Sequence, residues 1–140
     1  MGKKKLLLTI VTPEKTVLTA HPADFVAIPA LEGEVGVLPG HTAMVVQLRE
    51  GILRYFCGEE RNAFAVLSGF AQVSGDKVLV LAEAAELATE INEERARQAW
   101  RKAKDIITMK GDQMDLDEAQ AALKRAAVRM KLAEYRRKHR

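Results

Sequence analysis

Three histidines, one cysteine and a scatter of carboxylates are the groups in this 140-residue chain that could bind a metal or attack a substrate. Their spacing suits neither task. His21, His41 and His139 are too far apart for the short ligand pairs of a zinc site, Cys57 has no second cysteine, and the acidic residues follow no calcium-loop pattern. Gly33, Gly36 and Gly40 run into His41 and Thr42 rather than the Lys-Ser/Thr of a phosphate loop. Ser68-Gly69-Phe70 lacks the Gly-x-Ser-x-Gly of a hydrolase elbow. The chain is therefore expected not to be an enzyme and to require no cofactor. What remains is binding chemistry at two places. One is Leu31-Glu32-Gly33-Glu34-Val35-Gly36-Val37-Leu38-Pro39-Gly40-His41, whose three glycines and proline shape the backbone while Val35, Val37 and Leu38 anchor it and Glu34 and His41 project outward. The other is the basic carboxy-terminal run Lys124-Arg125, Arg129, Lys131 and Arg136-Arg137-Lys138-His139-Arg140.

These groups must be held by two architectures in series. From Leu6 to about Ala82 the chain reads as short strands separated by turn signals: Leu6–Val11, Phe25–Ile28, Val35–Leu38, Met44–Leu48, Ile52–Phe56, Ala63–Leu67, Phe70–Val73 and Val78–Leu81. This pattern predicts an all-β sandwich or barrel of short antiparallel strands. From about Asn92 the period changes. Ala96, Ala99, Trp100, Ala103, Ile106 and Ile107 recur at helical spacing, with Asn92 as N-cap and Glu93 and Glu94 in the first turn. Gly111 marks a stop, Asp115 with Glu118 forms a capping box, and Leu116, Ala119, Leu123, Ala126, Met130 and Ala133 make a heptad seam. The short Gly111-Asp112 connection predicts an antiparallel helical hairpin. The expected domains are therefore 1–86, a β-sandwich, and 87–140, a two-helix hairpin.

Composition bounds the rest. A chain of this length holds one core with a small appendage, and its apolar runs are too short to cross a bilayer. A lone cysteine and the lack of a secretory signal lead us to expect a protein kept in the reduced compartment of synthesis. Residues 1–85 hold 8 Lys/Arg and 9 Asp/Glu, whereas residues 118–140 hold 8 Lys/Arg against Glu118 and Glu134, so the basic character belongs to the hairpin. The hairpin seam is poor in large side chains: a buried alanine methyl contributes roughly 0.8 kcal/mol against about 1.5–3 for leucine or isoleucine. Such a hairpin is a candidate mobile element, and equally a candidate for permanent docking. The β-half lacks a basic-aromatic platform, so nucleic-acid binding is a remote alternative to an acidic protein partner.

Several segments, in this order and at these distances, resemble the epsilon subunit of F-type ATP synthases. They are Leu8-Thr9-Ile10-Val11-Thr12-Pro13-Glu14, the Gly33-to-His41 loop, Val66-Leu67-Ser68-Gly69-Phe70, Val80-Leu81-Ala82-Glu83, Glu90-Ile91-Asn92-Glu93-Glu94-Arg95-Ala96 and Ala122-Leu123-Lys124-Arg125-Ala126. The resemblance spans nearly the whole chain and implies a flattened β-sandwich followed by a helical hairpin.

It further implies a non-catalytic rotor subunit of the central stalk. Its β-domain would bind the gamma subunit and rest on the c-subunit rotor ring through Glu34 and His41. Its hairpin would move from a compact to an extended state that blocks ATP hydrolysis, with Arg125, Arg129, Arg136 and Arg137 facing an acidic segment of the beta subunits among the alpha and beta subunits of the catalytic head. A structural coupling subunit without inhibition is the alternative. The implied location is peripheral, on the cytoplasmic face of the bacterial inner membrane, with membrane association only through the complex. Some members bind ATP as a regulatory ligand, which would here involve Glu83, Asn92, Arg95, Arg125 and Arg129. The family's motif aspartate is replaced by Asn92, and Lys102 stands near a further arginine position, so binding and non-binding hairpins both stay open.

Overall fold

The computed structural model describes residues 4–108 and 116–138. The expected Gly111-Asp112 turn, the Asp115 end of the capping box, His139 and Arg140 lie outside the described residues. The chain divides into two compact units, Met1–Leu87 and Ala88–Arg140.

The first unit is one eight-stranded sheet folded on itself into a sandwich-like body. Its strands are β1 (Leu6–Val11), β2 (Thr16–Ala23), β3 (Phe25–Ala30), β4 (Gly33–Val37), β5 (Met44–Leu48), β6 (Gly51–Cys57), β7 (Glu60–Ser74) and β8 (Lys77–Leu87). The path runs β2-β1-β8-β7-β5-β3-β4, with β6 bridging β3 and β7. All pairings are antiparallel except β1 with β8. Strict alternation puts Leu6, Leu8 and Ile10 of β1 fully inside, where they meet Val26 and Ile28 of β3, Leu53 and Tyr55 of β6, and Val66 of β7. Tyr55 is buried, and its hydroxyl accepts a hydrogen bond from Asn62 Nδ2 at 2.9 Å. Burial pushes the phenol above its ordinary pKa, and the Asn62 bond opposes that shift.

β7 and β8 are long because they serve both layers. The first half of β7 pairs with β6 and the second half with β5, while β8 pairs with it from Phe64 to Ser74. The strand turns the corner at Gly69, whose φ is +138°; a Cβ there would lie 2.0 Å from the Leu81 carbonyl oxygen. Two expected strands, broken at Ser68-Gly69, are thus one bent strand, because glycine allows a close backbone approach without ending the pairing. β8 also runs six residues past Leu81, through an Ala-Glu stretch whose composition favours helix. Its pairing with Phe64–Leu67 overrides that preference. β2 was not expected at all. It is an edge strand, where Pro22 is tolerated, and its register with β1 slips around Leu8 and Ile10.

The second unit contains a 3-10 turn (Ala88–Glu90), helix α1 (Glu93–Thr108) and helix α2 (Leu116–Lys138). Asn92 caps α1 as expected: its Oδ1 accepts the Arg95 N–H at 3.0 Å. Ala119, Ala126 and Ala133 of the seam are buried, with Leu123 and Met130 half-buried. Val128 and Leu132 are buried off that seam. On α1, Ala96 and Ala103 are buried and Trp100 is half-buried, with Lys104 Nζ 4.6 Å from its ring centre. Ala99 and Ile106, expected on the apolar stripe, are exposed. They border an inter-helix groove with Ala103, Ala119 and Ala122. Small side chains let the helix backbones approach, and what lies beside the line of contact stays open to solvent.

Candidate functional site

The segment from Leu31 to His41 is a turn, a strand and a second turn. Leu31-Glu32 closes the two-residue hairpin between β3 and β4, and the Leu31 N–H is held by the Gln47 carbonyl at 3.0 Å. β4 lies at the sheet edge, so its outer backbone groups have no strand neighbour. Gly33 and Gly40 have positive φ, but Gly36 does not; its missing side chain makes room for the Phe25 ring, 3.0 Å from where a Cβ would stand. Val37 is buried and Val35 half-buried, as anchors should be, whereas Leu38 is 59% exposed. The expected anchoring role of Leu38 is thus corrected: β4 ends at Val37, and Leu38 belongs to the turn that follows.

Glu34 lies near the start of β4, and His41 closes the turn that follows the strand. Glu34 is exposed and its Oε1 accepts from Arg54 Nη2 at 2.7 Å, a contact made across β3 from β6. His41 is half-exposed; its N–H reaches the Leu38 carbonyl at 3.1 Å and its Nδ1 lies 2.7 Å from the Thr42 carbonyl. Neither Arg54 nor Asp76, whose Oδ1 takes the Gly40 N–H at 3.0 Å, stood out in the sequence. A Ser-Gly-Asp turn signals Asp76 only as a turn residue, and no local pattern tells which turn it meets.

A second surface lies on the outer face of β5, β7, β8 and β1. Register places Gln47, Phe70, Leu81 and Val11 in one cross-strand row and Val45, Gln72, Leu79 and Thr9 in the next. Val45 is 68% exposed, Phe70 54% and Leu81 49%. The sequence carries a signal for it: Val78-Leu79-Val80-Leu81 is apolar in both phases, which is the pattern of a strand with two faces to cover.

The basic residues of the hairpin fall into two groups. Arg136 Nη1 donates to the carbonyls of Ala88 at 2.9 Å and Ile91 at 3.4 Å, and Arg137 Nη2 lies 3.2 Å from Glu93 Oε1. The end of α2 is thereby fastened to the beginning of the same unit. Arg125 and Arg129 are half-buried one turn apart on α2. The antiparallel packing brings the first turn of α1, with Arg95 and Asn92, alongside the C-terminal half of α2. Glu83, by contrast, is on β8 of the first unit, where its carboxylate accepts from Ser68 Oγ at 2.9 Å. Near the end of α2, the Lys138 ammonium 3.0 Å from Glu134 holds that carboxyl below its ordinary pKa.

Among the described residues no group of three or more His, Cys, Asp or Glu is placed to hold a metal ion, and no helix is long and apolar enough to cross a membrane. Two family models match the chain: the beta-sandwich domain of the ATP synthase Delta/Epsilon chain over residues 5–88, and its long alpha-helix domain over residues 89–134. The ATP synthase epsilon chain of Symbiobacterium thermophilum is 44% identical over 126 residues, covering 90% of this chain and 91% of its own. That of Syntrophobacter fumaroxidans is 44% identical over 131 residues, covering 94% and 97%. A chain in the cryo-EM structure of the Euglena gracilis mitochondrial ATP synthase OSCP/F1/c-ring superposes with a TM-score of 0.76 at 28% identity, covering 86% of this chain and 76% of that one. A chain of the Tetrahymena thermophila mitochondrial ATP synthase central stalk/c-ring shares the fold, with a TM-score of 0.53 at 17% identity.

Proposed function

Because this chain belongs to the epsilon-chain family of ATP synthases, we propose that it couples the rotor ring to the catalytic head and restrains ATP hydrolysis through its helical hairpin. The observation that carries this is the paired match: both domains, in family order, over residues 5–134. The β-unit is the coupling part. Its apolar outer face around Val45, Phe70 and Leu81 suits a permanent protein neighbour, which we assign to the gamma subunit. Glu34 and His41 are the footing on the c-subunit ring. The complex holds the protein peripherally at the cytoplasmic face of a bacterial inner membrane.

The hairpin is the regulatory part, and its charge suits an acidic segment of the beta subunits. Arg125 and Arg129 supply part of that contact, and Arg136 and Arg137 add to it once they leave Ala88, Ile91 and Glu93. Inhibition is thus opposed by a closed hairpin. Rebuilding stripped ATP synthase with this chain tests the coupling role: ATP-driven proton pumping returns with the parent protein and is weakened with Glu34→Ala/His41→Ala. Equal pumping with and without the chain contradicts it.

Regulatory ATP is a second reading, supported by Arg95, Arg125 and Arg129 within one hairpin. Asn92 uses its oxygen to cap α1 and brings no negative charge, so an amino group or cation beside it is held less well than by an aspartate. Calorimetric titration of the full chain with Mg-ATP decides this; no heat at millimolar nucleotide removes ATP from the account.

A further inference from the structure

We infer that Asp76 is a positioning residue for the rotor footing, holding the Leu38–His41 turn so that His41 keeps a proton on Nδ1 and presents Nε2 outward as a hydrogen-bond acceptor, for an amide or guanidinium donor on the partner. The inference rests on the ring-contact reading above and adds the chemistry of that contact.

Two sets of bonds carry it. A carbonyl oxygen has no hydrogen to give, so the 2.7 Å contact between His41 Nδ1 and the Thr42 carbonyl requires the proton to sit on Nδ1. In the neutral ring Nε2 then bears the lone pair, and a carboxylate is a poor match for it. The turn beneath the ring is type II: Pro39 occupies the second position, Gly40 the third with φ +84°, and the His41 N–H closes on the Leu38 carbonyl. Types I and II differ by a flip of the central peptide, here Pro39–Gly40. The N–H of that peptide is the group Asp76 Oδ1 holds at 3.0 Å. Asp76 is itself fixed, since its carbonyl accepts the Leu7 N–H at 2.8 Å and Lys4 Nζ lies 4.0 Å from Oδ2. β1, the β7–β8 turn and the rotor-facing turn are therefore joined at one residue. Release of the Gly40 N–H frees the peptide to flip and takes His41 away from its bond to Thr42.

The test separates positioning from footing. Long-range proton–nitrogen spectra of the full chain with labelled histidine, in alkaline buffer, report the tautomer of His41. The parent and Asp76→Asn, which keeps the Oδ1 acceptor, are expected to show a protonated Nδ1 and a bare Nε2. Asp76→Ala is expected to show a mixture, at an unfolding midpoint that remains a single transition. A His41 tautomer unchanged in Asp76→Ala overturns the positioning role, whatever happens to stability. In the rebuilt synthase, His41→Gln places an acceptor oxygen near the Nε2 position and is expected to lower coupled pumping less than His41→Lys, which only donates. Equal pumping by these two variants overturns the acceptor assignment. If His41→Ala pumps like the parent, the footing itself fails, and the spectra still decide what Asp76 does.

Discussion

The β-unit and the helical unit are held together by different side chains. In the β-unit, Leu6, Leu8, Ile10, Val26, Ile28, Leu53, Tyr55 and Val66 are almost wholly enclosed, each contributing about 1.5–3 kcal/mol. In the helical unit the buried positions are mostly alanines: Ala96, Ala103, Ala119, Ala126 and Ala133, at about 0.8 kcal/mol for each methyl. Ile91, Val128 and Leu132 are the larger side chains buried beside them. A body of the first kind can transmit force without deforming, whereas one of the second kind opens at modest cost. The hairpin supplements its thin core with the Arg136 and Arg137 contacts, which tie its two ends together. The same arginines are thus both a structural clasp and the residues proposed to reach the catalytic head.

Substitutions sharpen this contrast, and the single tryptophan helps, because Trp100 lies in α1 and its fluorescence reports the hairpin alone. Gly69→Ala has the largest expected effect. A Cβ 2.0 Å from the Leu81 carbonyl oxygen forces β7 and β8 apart at the corner, costing about 4 kcal/mol or more, visible as lost soluble protein or a collapsed urea midpoint. Leu53→Ala comes next, at about 3 kcal/mol, with the β-signal in circular dichroism melting earlier. Arg136→Ala costs roughly 1 kcal/mol, less than a fully buried charged hydrogen bond because the guanidinium is partly exposed. Its effect belongs to the hairpin: faster amide exchange in α1 and an earlier Trp100 transition, with the β-unit unmoved. If the β-unit falls with it, the two units are not independent in stability.

The order of elements was largely legible because hydrophobic period changes once, from two to about three and a half, near Asn92. Glu34, His41 and the basic run stand out as candidates from local pattern, since turns and charge runs are local features. Four things were not local. β2 lacked a signal because an edge strand needs little hydrophobicity. β7 was divided at Gly69 because a glycine that permits a corner looks like one that ends a strand. The apolar outer face required the register of four strands, and the Asp76–Gly40 bond joins residues 36 positions apart. Leu38 stands one step of alternation past the buried Val37, and that step inverts a side chain from anchor to exposed tip.

A smaller effect tests the strained end of the β-unit. Ala20 holds φ at +43°, in a region that costs roughly 1–2 kcal/mol for a residue with a Cβ, while its N–H is fixed by Thr9 Oγ1 at 2.9 Å. Ala20→Gly relieves this and gives back part through unfolded-state entropy, for a net gain of about 0.5 kcal/mol. A higher urea midpoint without change in Trp100 emission is the expected result.

The division of labour is tested most directly by ATP hydrolysis and ATP-driven proton pumping in synthase rebuilt with the full chain or with a chain ending at Leu87, which keeps all of β8. The shortened chain is expected to preserve pumping per ATP hydrolysed and to raise the hydrolysis rate. Equal hydrolysis rates with the two proteins would contradict a regulatory hairpin.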